Sequence, residues 1–155
     1  MSRTNLLAYL AGFIDADGSI TIVIARYTSS DGIRKTQYRA KLSACNCKLA
    51  PLKLLQRTFG AGKVRLRHWK GKRKRHWKPN YKWIVCNRLA TRALSQLLPF
   101  LKIKHKQAKH CLTMQALKDS HSSAARRWNP TLNKKCEAQC QKLKTLCNHL
   151  NKRGR

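Results

Sequence analysis

Leu10-Ala11-Gly12-Phe13-Ile14-Asp15-Ala16-Asp17-Gly18, followed by Ser19-Ile20-Thr21-Ile22-Val23-Ile24, is the stretch on which the reading of this chain turns. Just before and within it Leu6, Leu7, Leu10, Phe13 and Ile14 recur at helical spacing, with Thr4 or Asn5 available as a cap and Gly18 as a stop, so a helix is predicted over residues 5–16. After Gly18 the residues Ile20, Ile22 and Ile24 alternate with Thr21 and Val23 until Ser29-Ser30-Asp31-Gly32, which reads as a strand and then a turn. Asp15 and Asp17 therefore fall where a helix hands over to a strand. The negative end of the macrodipole disfavours an anion there, and a bound divalent cation would offset the penalty. Oxygen ligands of this kind suit Mg²⁺, which takes one or two carboxylates and completes its shell with water and phosphate. The plainer alternative is that both residues only end the helix and enter the turn.

Working outward, the returning strand alternates Gln37, Arg39, Lys41 and Ser43 with Tyr38, Ala40, Leu42 and Ala44, giving one basic and one apolar face. Leu49, Leu52, Leu55 and Phe59 are spaced for a second helix with Pro51 in its first turn and Gly60-Ala61-Gly62 closing it. The pattern then repeats. Lys63, Arg65 and Arg67 alternate with Val64 and Leu66, Tyr81 to Cys86 returns, and a third helix over about 88–98 is stopped by Pro99. Helices near 104–118 and 131–151 follow. The order αββαββα predicts an α+β fold: a four-stranded antiparallel sheet whose apolar face the helices cover and whose basic face stays open. At 155 residues and 42% apolar content, one domain is expected over 1–155, with a core over about 5–118 and a helical extension beyond.

Thirty-five Lys and Arg against five Asp and Glu give a formal charge of +30, whose self-repulsion works against the compact state unless a polyanion neutralises it. Charge alone does not separate DNA from RNA or from an acidic membrane. Its distribution says more. Between Lys63 and Lys82 lie ten Lys or Arg and no acid, including Lys70, Lys72, Arg73, Lys74 and Arg75, which favours phosphate contact over a merely solvated surface. Arg and Lys can seat on phosphates or guanine edges, and Gln37 and Asn80 can pair with adenine. Thr21, Arg26 and Tyr27 on the first strand join this candidate surface. In the fourth strand the facing stays open: either Asn80 and Lys82 or Tyr81 and Trp83 point at the ligand. Trp69 and Trp77 either stack on bases or staple their hairpin.

Seven cysteines, an odd number, with no signal peptide before Asn5 and no apolar run near membrane-spanning length, point to free thiols in a reducing, intracellular compartment. No membrane association and no small-molecule substrate are expected. Cys136, Cys140 and Cys147 with His149 have zinc-ligand chemistry, but Leu132, Cys136, Cys140, Leu143, Cys147 and Leu150 recur as the buried stripe of an amphipathic helix. Cys45 and Cys47 flank Asn46 without a matching second pair.

Residues 10–18 resemble the nine-residue signature of the LAGLIDADG homing endonucleases, and the strand that follows matches the family's order. A second likeness lies at Leu98-Pro99-Phe100-Leu101-Lys102-Ile103-Lys104-His105-Lys106-Gln107-Ala108, which is similar to a segment of the single-motif, chloroplast-type branch. The resemblance implies a metal-dependent, site-specific endonuclease of double-stranded DNA, using Mg²⁺ or another divalent cation such as Mn²⁺. It implies that Asp17 and the backbone carbonyl of Ala16 are metal ligands and that Lys104 is the active-site lysine. Asn46 corresponds to a water-positioning residue, although an ungapped comparison puts Ala44 there, and Lys48 stands for a nearby basic residue. One motif supplies one site, so cutting both strands implies a two-fold homodimer packed through the motif helices, with Ala8, Ala11, Gly12 and Asp15 at the interface and a pseudo-palindromic target. The family resemblance favours an organelle, chloroplast or mitochondrion. An RNA-binding intron maturase and a catalytically silent DNA-binding module are the alternatives.

Overall fold

The computed structural model describes residues 2–67, 78–120 and 129–152. Helix α1 runs Arg3–Asp17, two residues earlier than the sequence suggests, because Ser2 and not Thr4 or Asn5 is the cap: its Oγ accepts the Asn5 N–H at 3.2 Å. Strand β1 (Gly18–Thr28) follows with no intervening loop. Gly18 makes this direct handover possible by close approach. A Cβ there would lie 2.5 Å from the Ile14 carbonyl oxygen, and the residue itself is in ordinary extended conformation.

Strand β2 (Arg34–Asn46) pairs with β1 antiparallel from Gly18↔Ala44 to Thr28↔Arg34. Helix α2 (Leu49–Phe59) ends at Gly60 in the left-handed region and leads to β3 (Lys63–Leu66); β4 (Tyr81–Cys86) returns and passes into α3 (Asn87–Leu97). Helices α4 (His105–Ser120) and α5 (Pro130–Asn151) complete the described chain. The sheet order is β1-β2-β4-β3, antiparallel throughout.

One face of the sheet carries Ile20, Ile22, Ala40, Leu42, Ala44, Trp83 and Val85, all buried, and against it pack Leu10 and Ile14 of α1, Leu52 and Leu55 of α2, and Leu94 and Leu97 of α3. Trp83 anchors this layer. Its Nε1–H donates to the Ala61 carbonyl at 3.0 Å, its ring lies 6.2 Å from that of Phe59, and Gly62 leaves room for it, since a Cβ at Gly62 would sit 2.2 Å from Nε1.

Helix α5 packs on α4 and β1 and brings Cys136, Cys140 and Cys147 into the same core, so these thiols act as small apolar side chains, while His149 is exposed. The Cys111 thiol is pushed up by its hydrogen bond with Cys147 and then by burial, and Cys147 is shifted down by the same contact. At the C-terminal end of α5, Asn151 Nδ2 donates to the Ile20 carbonyl at 2.8 Å and Cys147 Sγ reaches the same oxygen at 3.4 Å. All seven cysteines are free.

Candidate active site and nucleic-acid interface

The end of α1, the end of β2 and the segment before α4 converge on one place. Because Gly18 pairs with Ala44, β2 overruns the helix-strand junction by two residues, and Asn46 arrives beside the last residue of α1. Its Nδ2 donates to Asp17 Oδ2 at 2.8 Å, while its Oδ1 accepts the Lys48 N–H at 2.8 Å. Both ends of the amide are engaged, which defines its orientation. Ala44, the alternative position, is buried in the core at 1% exposure and contributes no polar group. Lys48 is exposed and caps α2 through its backbone.

Asp15 and Asp17 separate sharply. Asp17 is exposed, and its Oδ1 accepts no hydrogen bond among the described residues. Asp15 is 8% exposed, and its carboxylate accepts three backbone N–H groups: Lys102 at 2.7 Å, Ile103 at 3.1 Å and Lys104 at 2.8 Å. These donors offset the unfavourable macrodipole at Asp15 without a metal. The family resemblance implies Asp15 at a dimer interface; its side chain is instead turned inward.

Lys104 closes the arrangement. Its Nζ donates to the Ile14 carbonyl at 3.0 Å and to the Asp15 carbonyl, placing a cation on the negative end of α1. Burial pushes this ammonium below the ordinary lysine value, against the pull of the Asp15 and Asp17 carboxylates. The Ile14 carbonyl accepts the Gly18 N–H that caps the helix and Lys104 Nζ besides, the Asp15 carbonyl accepts from Lys104 Nζ, and that of exposed Ala16 lies between them and Asp17. Among the described residues no three His, Cys, Asp or Glu side chains converge to hold a metal. The donor set one chain offers is therefore one carboxylate oxygen and one carbonyl. That is too few for a closed protein cage and of the kind Mg²⁺ accepts when water and phosphate fill its shell.

The opposite face of the sheet is the basic one. The register places Thr21 opposite Lys41, Val23 opposite Arg39, Ala25 opposite Gln37, Lys82 opposite both Cys45 and Arg65, and Lys63 opposite Ile84, all on the side away from the core. The buried position of Trp83 and Val85 resolves the facing of β4 in favour of Asn80 and Lys82. Arg65 and Lys82 are like charges directly across two strands, a destabilising pair that phosphate would neutralise. The two ion pairs among the described residues, Lys35–Asp31 and Arg88–Asp119, leave these cations without acids. Arg39 Nε donates to Gln37 Oε1 at 2.9 Å, so the two side chains present one joint polar edge.

Some expected contacts fall elsewhere. Arg26 has the parity of Ile20, Ile22 and Ile24 and points to the helix side, whereas Tyr27 shares the open side and is 47% exposed. Ser43 is on the open face but only 6% exposed, as its floor. Arg67 extends β3 and its N–H donates to the Asn80 carbonyl at 2.7 Å. Lys70, Lys72, Arg73, Lys74 and Arg75, with Trp69 and Trp77, lie outside the described residues. On α1, Ala8, Gly12 and Ala16 are exposed along with Tyr9, which is 50% exposed, but Ala11 is fully buried in the chain's own core and faces no second copy.

No helix among the described residues is long and apolar enough to cross a membrane. Comparison with curated proteins returns no match. Solved structures do match. The homing endonuclease I-CvuI, in complex with the I-CreI target in the presence of Mg, is 26% identical, with 98% of this chain and 85% of that chain covered at a TM-score of 0.66. The archaeal intron-encoded homing endonuclease I-Vdi141I, complexed with DNA, is 16% identical over 99% of this chain and 89% of that one, with a TM-score of 0.65. I-SmaMI, bound to uncleaved DNA in the presence of calcium ions, is 18% identical and shares the fold over 94% of this chain but only 45% of its own, with a TM-score of 0.61. A family model described as LAGLIDADG endonuclease matches residues 10–121, which takes in the C-terminal half of α1 with its two aspartates, the whole sheet and the segment carrying Lys104. With most of its length matched and its aspartates set at the helix-strand junction, the chain belongs to the LAGLIDADG endonuclease family.

Proposed function

We propose that this chain is one subunit of a two-fold symmetric homing endonuclease that cuts both strands of a long, pseudo-palindromic DNA duplex. The observation that carries the reading is the meeting of Asp17, Asn46 and Lys104 at the end of a sheet whose outer face is basic. The likeness to I-CvuI and I-Vdi141I, both solved on DNA, supports duplex DNA as the ligand. A chain of this fold spans less than half of I-SmaMI, which supports a unit that works in pairs. One catalytic cluster per chain and two strands to cut require two copies. The exposed small residues Ala8, Gly12 and Ala16 on α1 permit close approach of a second α1.

In this assembly Asp17 and the Ala16 carbonyl would hold a divalent cation, Mg²⁺ or Mn²⁺. When bound, the cation supplies Lewis-acid stabilisation of phosphate charge and lowers the pKa of attacking water. Asn46 keeps the Asp17 carboxylate aimed outward and offers its amide to solvent entering the site. Lys104 provides a fixed positive charge for the transition state, and Lys48 adds a second cation at the rim. Arg39, Lys41, Lys63, Arg65 and Lys82 seat on the DNA backbone, with Gln37, Thr21 and Asn80 toward base edges. An organellar intron is the genetic setting that the family resemblance favours.

The test is to incubate the protein with a plasmid carrying the uninterrupted host locus, with Mg²⁺ or with EDTA. A double-strand break at one site in Mg²⁺ alone, and an Asp17→Asn variant that binds this site without cutting it, are expected. Cleavage by Asp17→Asn at the wild-type rate would overturn the assignment.

A further inference from the structure

We infer that Asp15 is a positioning residue for Lys104, holding the lysine from both of its ends, an inference that rests on the endonuclease reading above. The Asp15 carboxylate accepts the N–H groups of Lys102, Ile103 and Lys104, and the Asp15 carbonyl accepts from Lys104 Nζ. The residue thus binds the root and the tip of the same side chain. Leu101, just before this segment, is anchored in the core, but Lys102 is exposed and Ile103 is 73% exposed, so apolar packing does not fix these two residues themselves. The segment's register against α1 is set by charge-assisted hydrogen bonds to a carboxylate that is almost fully buried. Asp15 lies two residues from Asp17 on the same helix end, so fixing Lys104 to Asp15 also fixes its ammonium relative to the carboxylate that would hold the metal. An asparagine here can accept from two donors at most through its single oxygen, and its NH₂ group would confront a third N–H. The segment would then shift while the core, to which Asp15 adds no apolar side chain, keeps its packing.

The experiment uses the full chain and the duplex recovered from the plasmid test, with single-turnover cleavage at saturating protein. Asp15→Asn should cut roughly 10²-fold more slowly, as expected for a misplacement on the order of 1 Å, while its affinity for the site and its melting temperature stay near wild type. In a Lys104→Ala background the same substitution should change the rate by less than about threefold, because the two residues act as one unit. Multiplicative losses, or a loss of affinity and melting temperature that accounts for the slowing, would overturn the inference. If Asp15→Asn does not fold, hydrogen exchange in the wild type decides: the amides of Lys102, Ile103 and Lys104 should exchange as slowly as those within α4, and exchange at the rate of an open loop would overturn it. A wild-type protein that cuts no DNA would refute the endonuclease reading and leave the exchange result standing separately.

Discussion

If the basic face of the sheet is the docking surface, binding must depend steeply on salt, and the steepness follows from the register. The described cations on that face without an acidic partner are Arg39, Lys41, Lys63, Arg65 and Lys82. Two copies, each side chain on one phosphate, neutralise about ten phosphates, and at about 0.9 released counterions per contact log K should fall with log salt at a slope of about −9. Raising monovalent salt from about 50 to about 200 mM would then weaken binding on the order of 10⁵-fold. The sharper quantity is a difference, which does not depend on how many other contacts exist. Lys82→Ala removes one contact per copy and should flatten the slope by about 2. It also relieves the like-charge pairing with Arg65, so the free protein should be slightly more stable. The assay is fluorescence anisotropy on a labelled duplex carrying the site, in Ca²⁺ or EDTA to prevent cleavage, across a salt series for both proteins. An unchanged slope in Lys82→Ala, or a slope near zero in the wild type, would refute the reasoning that places the duplex on this face.

Asn46→Ala frees the Asp17 carboxylate from its only side-chain donor among the described residues and should slow single-turnover cleavage by about 10- to 10²-fold with little change in affinity; a wild-type rate would show that the amide has no positioning role. A Cβ added to Gly12 meets nothing within 4 Å in the chain itself, so Gly12→Glu should leave the subunit folded by circular dichroism, yet sediment as a monomer because two carboxylates would meet at the two-fold axis. Sedimentation of this variant as a wild-type dimer would move the interface away from α1. Trp83→Ala should lower unfolding free energy by about 3–5 kcal/mol, read as a fall in denaturant midpoint at constant slope, since it empties the contact with Phe59 and leaves the Ala61 carbonyl without its donor.

The order of helices and strands was legible because each element carries its own period: Ile20, Ile22 and Ile24 every second residue, Leu49, Leu52, Leu55 and Phe59 every third or fourth. The parity that puts Arg26 with those isoleucines, on the helix side, is legible in the same alternation. Other features depend on partners far along the chain. The facing of β4 follows from Trp83 lying opposite Ala44 and Val64 and bonding to Ala61, none of which local alternation can supply. Asn46 prevails over Ala44 at the site because of where β2 registers on β1. The three N–H donors of Asp15 are 87 to 89 residues away, so a carboxylate that the family resemblance assigns to an interface is bonded within its own chain. The cap of α1 at Ser2 is not singled out by the sequence, because Thr4 and Asn5 have equal capping chemistry closer to the apolar run.

Strand β1 is an outermost strand, and such borders invite other chains to add on by backbone pairing. The Ile20 carbonyl on that border is already occupied by Asn151 and Cys147 from the far end of the chain. The last turn of α5 thereby acts as a stopper against lateral growth at that point. It discourages open-ended stacking of sheets into fibres from that border.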